Sequence, residues 1–136
     1  TVTRLLHWRG ALSFWDYATA APYVDIDMNP SGTSGSDRAL VAKDAIFFSG
    51  HKFLGGAGTP GVLVAKKRLF TSKVPVIPGG GTVLWVSSDS HTYHSNIEER
   101  EEGGTPDILG AIRLGLTFQL KQKLGSVERR EEQLTQ

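Results

Sequence analysis

Apolar positions along the chain fall into two patterns. Ala11-Leu12-Ser13-Phe14-Trp15-Asp16, Asp44-Ala45-Ile46-Phe47-Phe48-Ser49 and Gly61-Val62-Leu63-Val64-Ala65-Lys66 are short and nearly continuous in apolar character, which predicts buried strands. The first ends in an acid, so Asp16 is expected at the carboxyl edge of its strand, facing a crevice. A long connection separates the first run from the second, as a parallel neighbour requires. Only a stretch broken by Gly50, Gly55, Gly56, Gly58 and Pro60 separates the second from the third. That is too brief for a helical crossover, so the third strand is expected to run antiparallel to the second. The pattern as a whole predicts an α/β fold, part of a mostly parallel sheet with one antiparallel strand and helices packed on it.

The other pattern is helical. Val2-Thr3-Arg4-Leu5-Leu6-His7-Trp8 reads as the end of an amphipathic helix with Gly10 as its stop, as though the sequence began mid-domain. Near the other end, Thr105 is expected as an N-cap with Pro106 in the first helical position, Asp107 beside the positive helix end and Gly125 as the stop. Between them Ile108, Ile112, Leu116, Leu120 and Leu124 recur every four residues, with Leu109 widening the stripe. Such a stripe is expected to lie against a sheet or a partner. Residues 29–37, rich in Gly, Ser and Pro, read as an inserted loop. Pro78-Gly79-Gly80-Gly81-Thr82 and residues 87–96 read as a long irregular segment. No internal repeat is visible.

Composition narrows the classes. A chain of 136 residues suits one domain with one core, and its 39% hydrophobic content is that of a globular protein. The net charge of +1 comes from Lys and Arg spread along the chain, which argues against a nucleic-acid or anionic-membrane surface. The absence of cysteine removes disulfides, thiolate metal sites and a thiol nucleophile from this stretch. No apolar run approaches the ~20 residues needed to cross a bilayer, so soluble material is expected; the cytoplasm is the expected compartment, with an organelle as the alternative.

The chemistry concentrates at Ser49-Gly50-His51-Lys52, directly after the second strand and ahead of Gly55-Gly56-Ala57-Gly58-Thr59-Pro60-Gly61. A hydroxyl, an imidazole and an amine thus meet at a carboxyl strand end, where open α/β sheets bind ligands. Glycines allow close backbone approach, and free N–H groups with Ser and His can hold a phosphate. A lysine whose amine is kept neutral is a nucleophile toward carbonyls. A solvated lysine in a glycine-rich turn accounts for the spacing equally well. Asp16 tips the balance: a buried strand-end carboxylate needs a cation, and a protonated pyridine nitrogen is one.

Four blocks then carry a family resemblance. They are Trp15-Asp16-Tyr17-Ala18-Thr19-Ala20-Ala21-Pro22-Tyr23-Val24-Asp25, the run from Asp44 through Ser49-Gly50-His51-Lys52 to Leu63, Gly79-Gly80-Gly81, and Arg100-Glu101-Glu102-Gly103-Gly104-Thr105-Pro106. In this order and with these spacings the chain resembles the class V aminotransferase and cysteine desulfurase family of fold-type I pyridoxal phosphate enzymes, over most of its length up to about Leu124. The resemblance implies that Lys52 is the Schiff-base lysine, forming the internal aldimine with pyridoxal 5'-phosphate, and that Asp16 partners the pyridine nitrogen. It implies that Ser49 and His51 bind the cofactor phosphate, joined by Thr105 from a neighbouring subunit, and hence a homodimer. Thr19 stands where the family commonly has a glutamine contacting the ring hydroxyl, so that cofactor contact carries over only weakly.

The same resemblance implies that residues 1–125 are part of the cofactor-binding large domain and that residues 126–136 start a helix leading to a small domain. It places the remaining phosphate loop, the ring-stacking residue, the substrate-binding arginine and the desulfurase cysteine outside this stretch. The expected function is that of a fragment of an enzyme acting on a small amino acid or amine. Transamination, β-elimination of sulfur or selenium, and carbon–carbon cleavage all stay open, and the chain alone is expected to be inactive. Alternatives are a non-catalytic fragment serving as a structural or interaction unit, and a glycine-rich binder of a phosphate ligand.

Other signals favour plainer readings. His91-Thr92-Tyr93-His94 lacks a third ligand at helical spacing and reads as a surface loop. The glycines lack the Gly-Lys-Ser/Thr of a nucleotide loop, and Phe47-Phe48-Ser49-Gly50-His51 does not supply a hydrolase nucleophile elbow. Glu98 to Glu102 with Arg100 reads as a solvated charge cluster, and Trp8, Trp15 and Trp85 as core or subunit-contact residues.

Overall fold

Thr1 caps the first helix, its hydroxyl accepting the Arg4 N–H at 3.4 Å, and α1 (Val2–Trp8) ends before Gly10, whose φ of +72° suits glycine. The computed structural model describes residues 1–30, 36–125 and 133–135. They form two compact units, Thr1–Ala65 with Leu109–Gln136, and Lys66–Ile108. The expected loop over residues 29–37 falls largely outside the described residues, as does most of the expected helix at 126–136.

The first unit holds β1 (Phe14–Asp16), α2 (Ser36–Val41), β2 (Ala45–Ser49) and β3 (Gly61–Ala65) in a sheet of order β1-β2-β3. β1 lies parallel to β2, with Asp16 opposite Phe47, and β3 lies antiparallel to β2, with Ser49 opposite Gly61. The mixed sheet expected from the pattern is therefore present. Because β1 and β2 are parallel, Asp16 and Ser49 finish at the same edge.

Alternation places Phe14, Asp16, Phe47 and Leu63 on one face and Trp15, Ile46, Phe48 and Val62 on the other. The second face is the covered one. Ile46 is buried, and Phe48 packs against Phe53 and Phe118 with ring centroids 5.8 and 6.1 Å away. Phe118 belongs to α4 (Ile108–Leu124). Phe14, Phe47 and Leu63 are exposed among the described residues, so the strands are not buried on both faces as their composition suggested.

The position of α4 corrects the expected Thr105 cap and shows that most of the Leu and Ile stripe does not meet the sheet. Its first residue is Ile108, so Thr105 lies ahead of the helix and does not cap it. Its inward face is Gly110, Leu114, Thr117, Phe118 and Lys121, whereas Ile108, Leu109, Ile112, Leu116 and Leu124 are exposed. Gly110 and Thr117 are its buried positions, Thr117 lying beside the Gly55 loop, and the long stem of Lys121 lines a hollow with Ile46 and Phe48. A tally of Leu and Ile alone cannot see either effect. Gly125, at φ +73°, follows the helix as expected.

A charged cluster ties α1 to the sheet. Asp44, fully buried, accepts the Ser13 N–H at 2.8 Å and meets His7 Nε2 at 2.7 Å, while His7 Nδ1 donates to the Leu40 carbonyl at 2.9 Å. Burial pushes the Asp44 carboxyl up, but the bonds from the Ser13 backbone, His7 and the Ser13 hydroxyl together outweigh it and hold the group below its ordinary value.

In the second unit, β4 (Val83–Val86) and β5 (His91–Tyr93) form an antiparallel hairpin with an irregularity between Val83 and Trp85. Within the stretch 87–96 read as irregular, His91–Tyr93 is thus strand. The hairpin turn is closed by the Ser87 N–H to the Ser90 carbonyl at 2.7 Å, a local bond that hydrophobic patterning does not register. α3 (Ile97–Glu101) is capped by Asn96, whose side chain accepts the Glu98 N–H at 2.9 Å. Arg100 is buried beside Glu101 at 3.2 Å, not solvated as its charged surroundings suggested. No helix among the described residues is long and apolar enough to cross a membrane.

Asp44→Ala removes the acceptor for a buried N–H and a buried imidazole, so it is expected to cost about 3 kcal/mol or more of stability at pH 7. Because the folded carboxyl sits below its ordinary value, its stabilisation is present above the unfolded value of about 3.9 and fades as pH falls through the lower folded value. Urea unfolding at pH 7 and at pH 3 should show the gap between the two chains narrowing with acid. A gap below about 1 kcal/mol at pH 7 would contradict the buried-pair account.

Candidate functional site

The turn that carries Lys52 follows from the end of β2. Gly50, His51 and Lys52 form one 3₁₀ turn, closed by the Phe53 N–H to the Gly50 carbonyl at 3.1 Å. The chain then steps through Gly56 N–H to Phe53 carbonyl at 2.9 Å, and Thr59 reaches Gly56 carbonyl with both its N–H, at 3.1 Å, and its hydroxyl, at 2.7 Å. A Cβ on Gly56 would collide with the Gly50 carbonyl, and one on Gly50 would lie 2.6 Å from Leu114 Cδ1. Glycine is required at both places by proximity, since neither has a positive φ. Arg113 Nη1 donates to the Ala57 carbonyl at 2.8 Å, tying the loop to α4.

Lys52 and His51 are exposed, and no hydrogen bond or ion pair joins either to another described residue. They line an open cleft of about 580 Å³ with Pro22, Tyr23, Leu54, Thr117, Lys121 and Leu124. Ser49, half-buried, makes no capping bond to the turn that follows it. It shares with Asp16, Ala18, Phe47 and Gly61 a second open cleft of about 470 Å³. The amine and imidazole thus face one concavity while the carboxylate and the hydroxyl face another, all at the carboxyl edge of the parallel pair.

Asp16 departs from expectation in its burial. Its side chain is exposed, because β1 is an edge strand among the described residues and the sheet face it shares with Phe47 is uncovered. One carboxylate oxygen, Oδ1, accepts the Ala18 N–H at 2.7 Å, which orients the group at the strand end. Thr19 lies exposed in the turn that follows.

Thr105 lies in the second unit. There the Gly104 N–H bonds the Gly80 carbonyl at 2.7 Å, and the fully buried Thr82 accepts the Gly79 N–H at 3.1 Å and donates to its carbonyl at 2.6 Å. The Gly79-Gly80-Gly81 block and the Gly103-Gly104-Thr105 block are therefore bound to each other. His91 stacks edge-on with Tyr93 at 4.9 Å, and His94 pairs with Glu99 at 3.0 Å. No group of three or more metal-ligating side chains occurs among the described residues.

Residues present could hold a phosphorylated pyridine aldehyde. Asp16 offers a carboxylate for a protonated ring nitrogen, Ser49 and His51 offer donors for a phosphate, and Lys52 offers a primary amine with no competing partner among the described residues. The fit lies in the donor set, which is gathered at one sheet edge with Lys52 and His51 on one cleft and Asp16 and Ser49 on the other. Sequence reasoning named these residues but missed Arg113 and Lys121, which reach the same loops from α4. No spacing signal points to them, because they lie 61 and 69 residues beyond Lys52.

Comparison with known proteins agrees with this architecture. The profile of the family described as aminotransferase class-V matches residues 1–136. The chain belongs to that family. It is 33% identical over 137 residues to a probable cysteine desulfurase of Halalkalibacterium halodurans, a match covering 99% of this chain and 31% of the relative. Among solved structures it resembles the apo cysteine desulfurase of Thermococcus onnurineus NA1, with TM-score 0.72, 29% identity, and 91% of this chain and 28% of that one covered. It also resembles the cysteine desulfurase CsdA of Escherichia coli, with TM-score 0.65, 30% identity, and coverage of 85% and 26%. The fold is thus the α/β fold of fold-type I, and the chain spans about a third of the curated relative it matches.

Gly56→Ala forces backbone apart at the turn and is expected to cost about 2 kcal/mol. Urea unfolding of the two chains measures it, and a loss under about 0.5 kcal/mol would mean that the close approach is not a constraint.

Proposed function

We propose that the chain is part of a pyridoxal-phosphate-dependent enzyme acting on an amino acid or amine, with Lys52 holding the cofactor as a Schiff base. The observation that carries this reading is an exposed lysine, without an ion-pair partner among the described residues, on the tight turn that follows β2, with Asp16 ending the parallel neighbour β1. Cysteine desulfurases among its relatives make removal of sulfur from cysteine the favoured branch, ahead of transamination. Residues 1–125 are then part of the cofactor-binding domain, and a homodimer would bring Thr105 to a neighbour's phosphate.

The roles follow from the groups. The Lys52 amine would hold the cofactor at its aldehyde carbon, and its Nζ would take and return the substrate's α-proton. Pyridoxal phosphate, when bound, supplies an electron-accepting ring to the substrate's α-carbon. Asp16 would face the ring nitrogen and favour its protonated form, with its own orientation fixed through Oδ1 by the Ala18 N–H. Ser49 and His51 bind phosphate by hydrogen bonds that a charged acceptor strengthens.

Borohydride reduction of the chain mixed with pyridoxal phosphate, followed by peptide mass mapping, is expected to fix the cofactor on Lys52. Lys52→Ala should lose that label while its other lysines stay at background. Equal labelling of both chains would sink the assignment.

A further inference from the structure

We infer that Lys121 is a positioning residue that holds the Asp16 strand end and the Lys52 turn at a set spacing. The inference rests on the cofactor reading above. It comes from a side chain on α4 that touches the segments following both anchors.

On the Asp16 side, residues 17–24 form a run of tight turns in which the Ala21 N–H bonds the Tyr17 carbonyl at 2.8 Å and the Val24 N–H bonds the Ala20 carbonyl at 3.0 Å. The near end of this segment, the Ala18 N–H, orients the Asp16 carboxylate. At its far end the Lys121 ammonium donates to the carbonyls of Ala21 at 2.9 Å and Val24 at 3.3 Å. On the Lys52 side, the same ammonium lies 5.7 Å from the ring centroid of Phe53, the residue next to Lys52. A cation at this range is attracted to the ring face. Phe53 is itself buried and packs edge-on with Phe118, one helical turn before Lys121, at 5.2 Å.

Lys121 thus joins two segments that the sheet alone leaves free to part. β1 and β2 are bonded only up to Asp16 and Tyr17 on one strand and Phe47 on the other. Beyond that point β1 and β2 no longer pair with each other, while β2 stays paired with β3 through Ser49. Arg113 does not do the same, since its bond to the Ala57 carbonyl touches the lysine loop only. Charge-assisted bonds to backbone carbonyls are among the stronger ones, and the half-buried setting limits screening.

The test uses the chain itself, titrated with pyridoxal phosphate and trapped with borohydride, reading the cofactor concentration that half-labels Lys52. Lys121→Met keeps the stem and removes the donors. It should raise that concentration about tenfold or more, a factor in the range expected for a lost charge-assisted bond. Lys121→Arg, which keeps charge and donors, should restore it to within about threefold. Circular dichroism fixes a temperature at which each chain is folded before the comparison. If the Met variant does not fold, Lys121→Gln is read on the same scale. A folded neutral variant that labels Lys52 within about twofold of the unsubstituted chain overturns the inference, as does an Arg variant as weak as the Met one. If the unsubstituted chain shows no selective Lys52 label, the cofactor reading fails and this inference with it.

Discussion

The close approach of two glycines, Gly50 and Gly56, is the constraint on which the first unit depends. It lets the chain leave β2, turn once and fold back beneath the turn, with the Gly56 position having no room for a side chain against the Gly50 carbonyl. The 3₁₀ turn leaves His51 and Lys52 exposed at the strand end and sends Phe53 inward to Phe48 and Phe118. That aromatic cluster seats α4 on one face of the sheet. Once α4 is seated, Arg113 and Lys121 come within reach of the loops at the sheet edge. Backbone proximity, aromatic packing and the long-range polar bonds are successive consequences of one turn.

Two aspartates near the strands show how the same side chain is put to different uses. Asp44 is fully buried and surrounded by donors from Ser13 and His7. Its charge is spent on joining α1 to the sheet, a structural duty that leaves nothing for a ligand. Asp16 is exposed, and the Ala18 N–H bond to its Oδ1 orients it without surrounding it. Carboxylates that serve a ligand need that kind of partial commitment, because a group already saturated by the protein gains little from another donor.

The strands and their directions were legible in the sequence because they depend on local features. Continuous apolar runs, a strand-end acid and a glycine-broken connection each have a direct structural meaning. The candidate site residues were legible for a related reason: Ser49, His51 and Lys52 are neighbours in the chain. What escaped depends on long-range packing. The burial of Asp16 was inferred from the strand's composition, but exposure is decided by what covers the sheet. The orientation of α4 was inferred from its Leu and Ile stripe, whereas Gly110, Thr117 and Lys121 set which side meets the strands. The Arg100 burial and the β4–β5 hairpin likewise rest on partners and on turn bonds that charge and hydrophobicity do not encode.

The central claim is that the ends of two parallel neighbours, Asp16 and Lys52, anchor one cofactor between them. A crystal structure of the chain grown with pyridoxal phosphate tests it most directly. The account predicts unbroken density from Lys52 Nζ to the cofactor and the ring nitrogen within hydrogen-bond distance of the Asp16 carboxylate. Cofactor bound through another lysine, or a ring nitrogen facing away from Asp16, would contradict it.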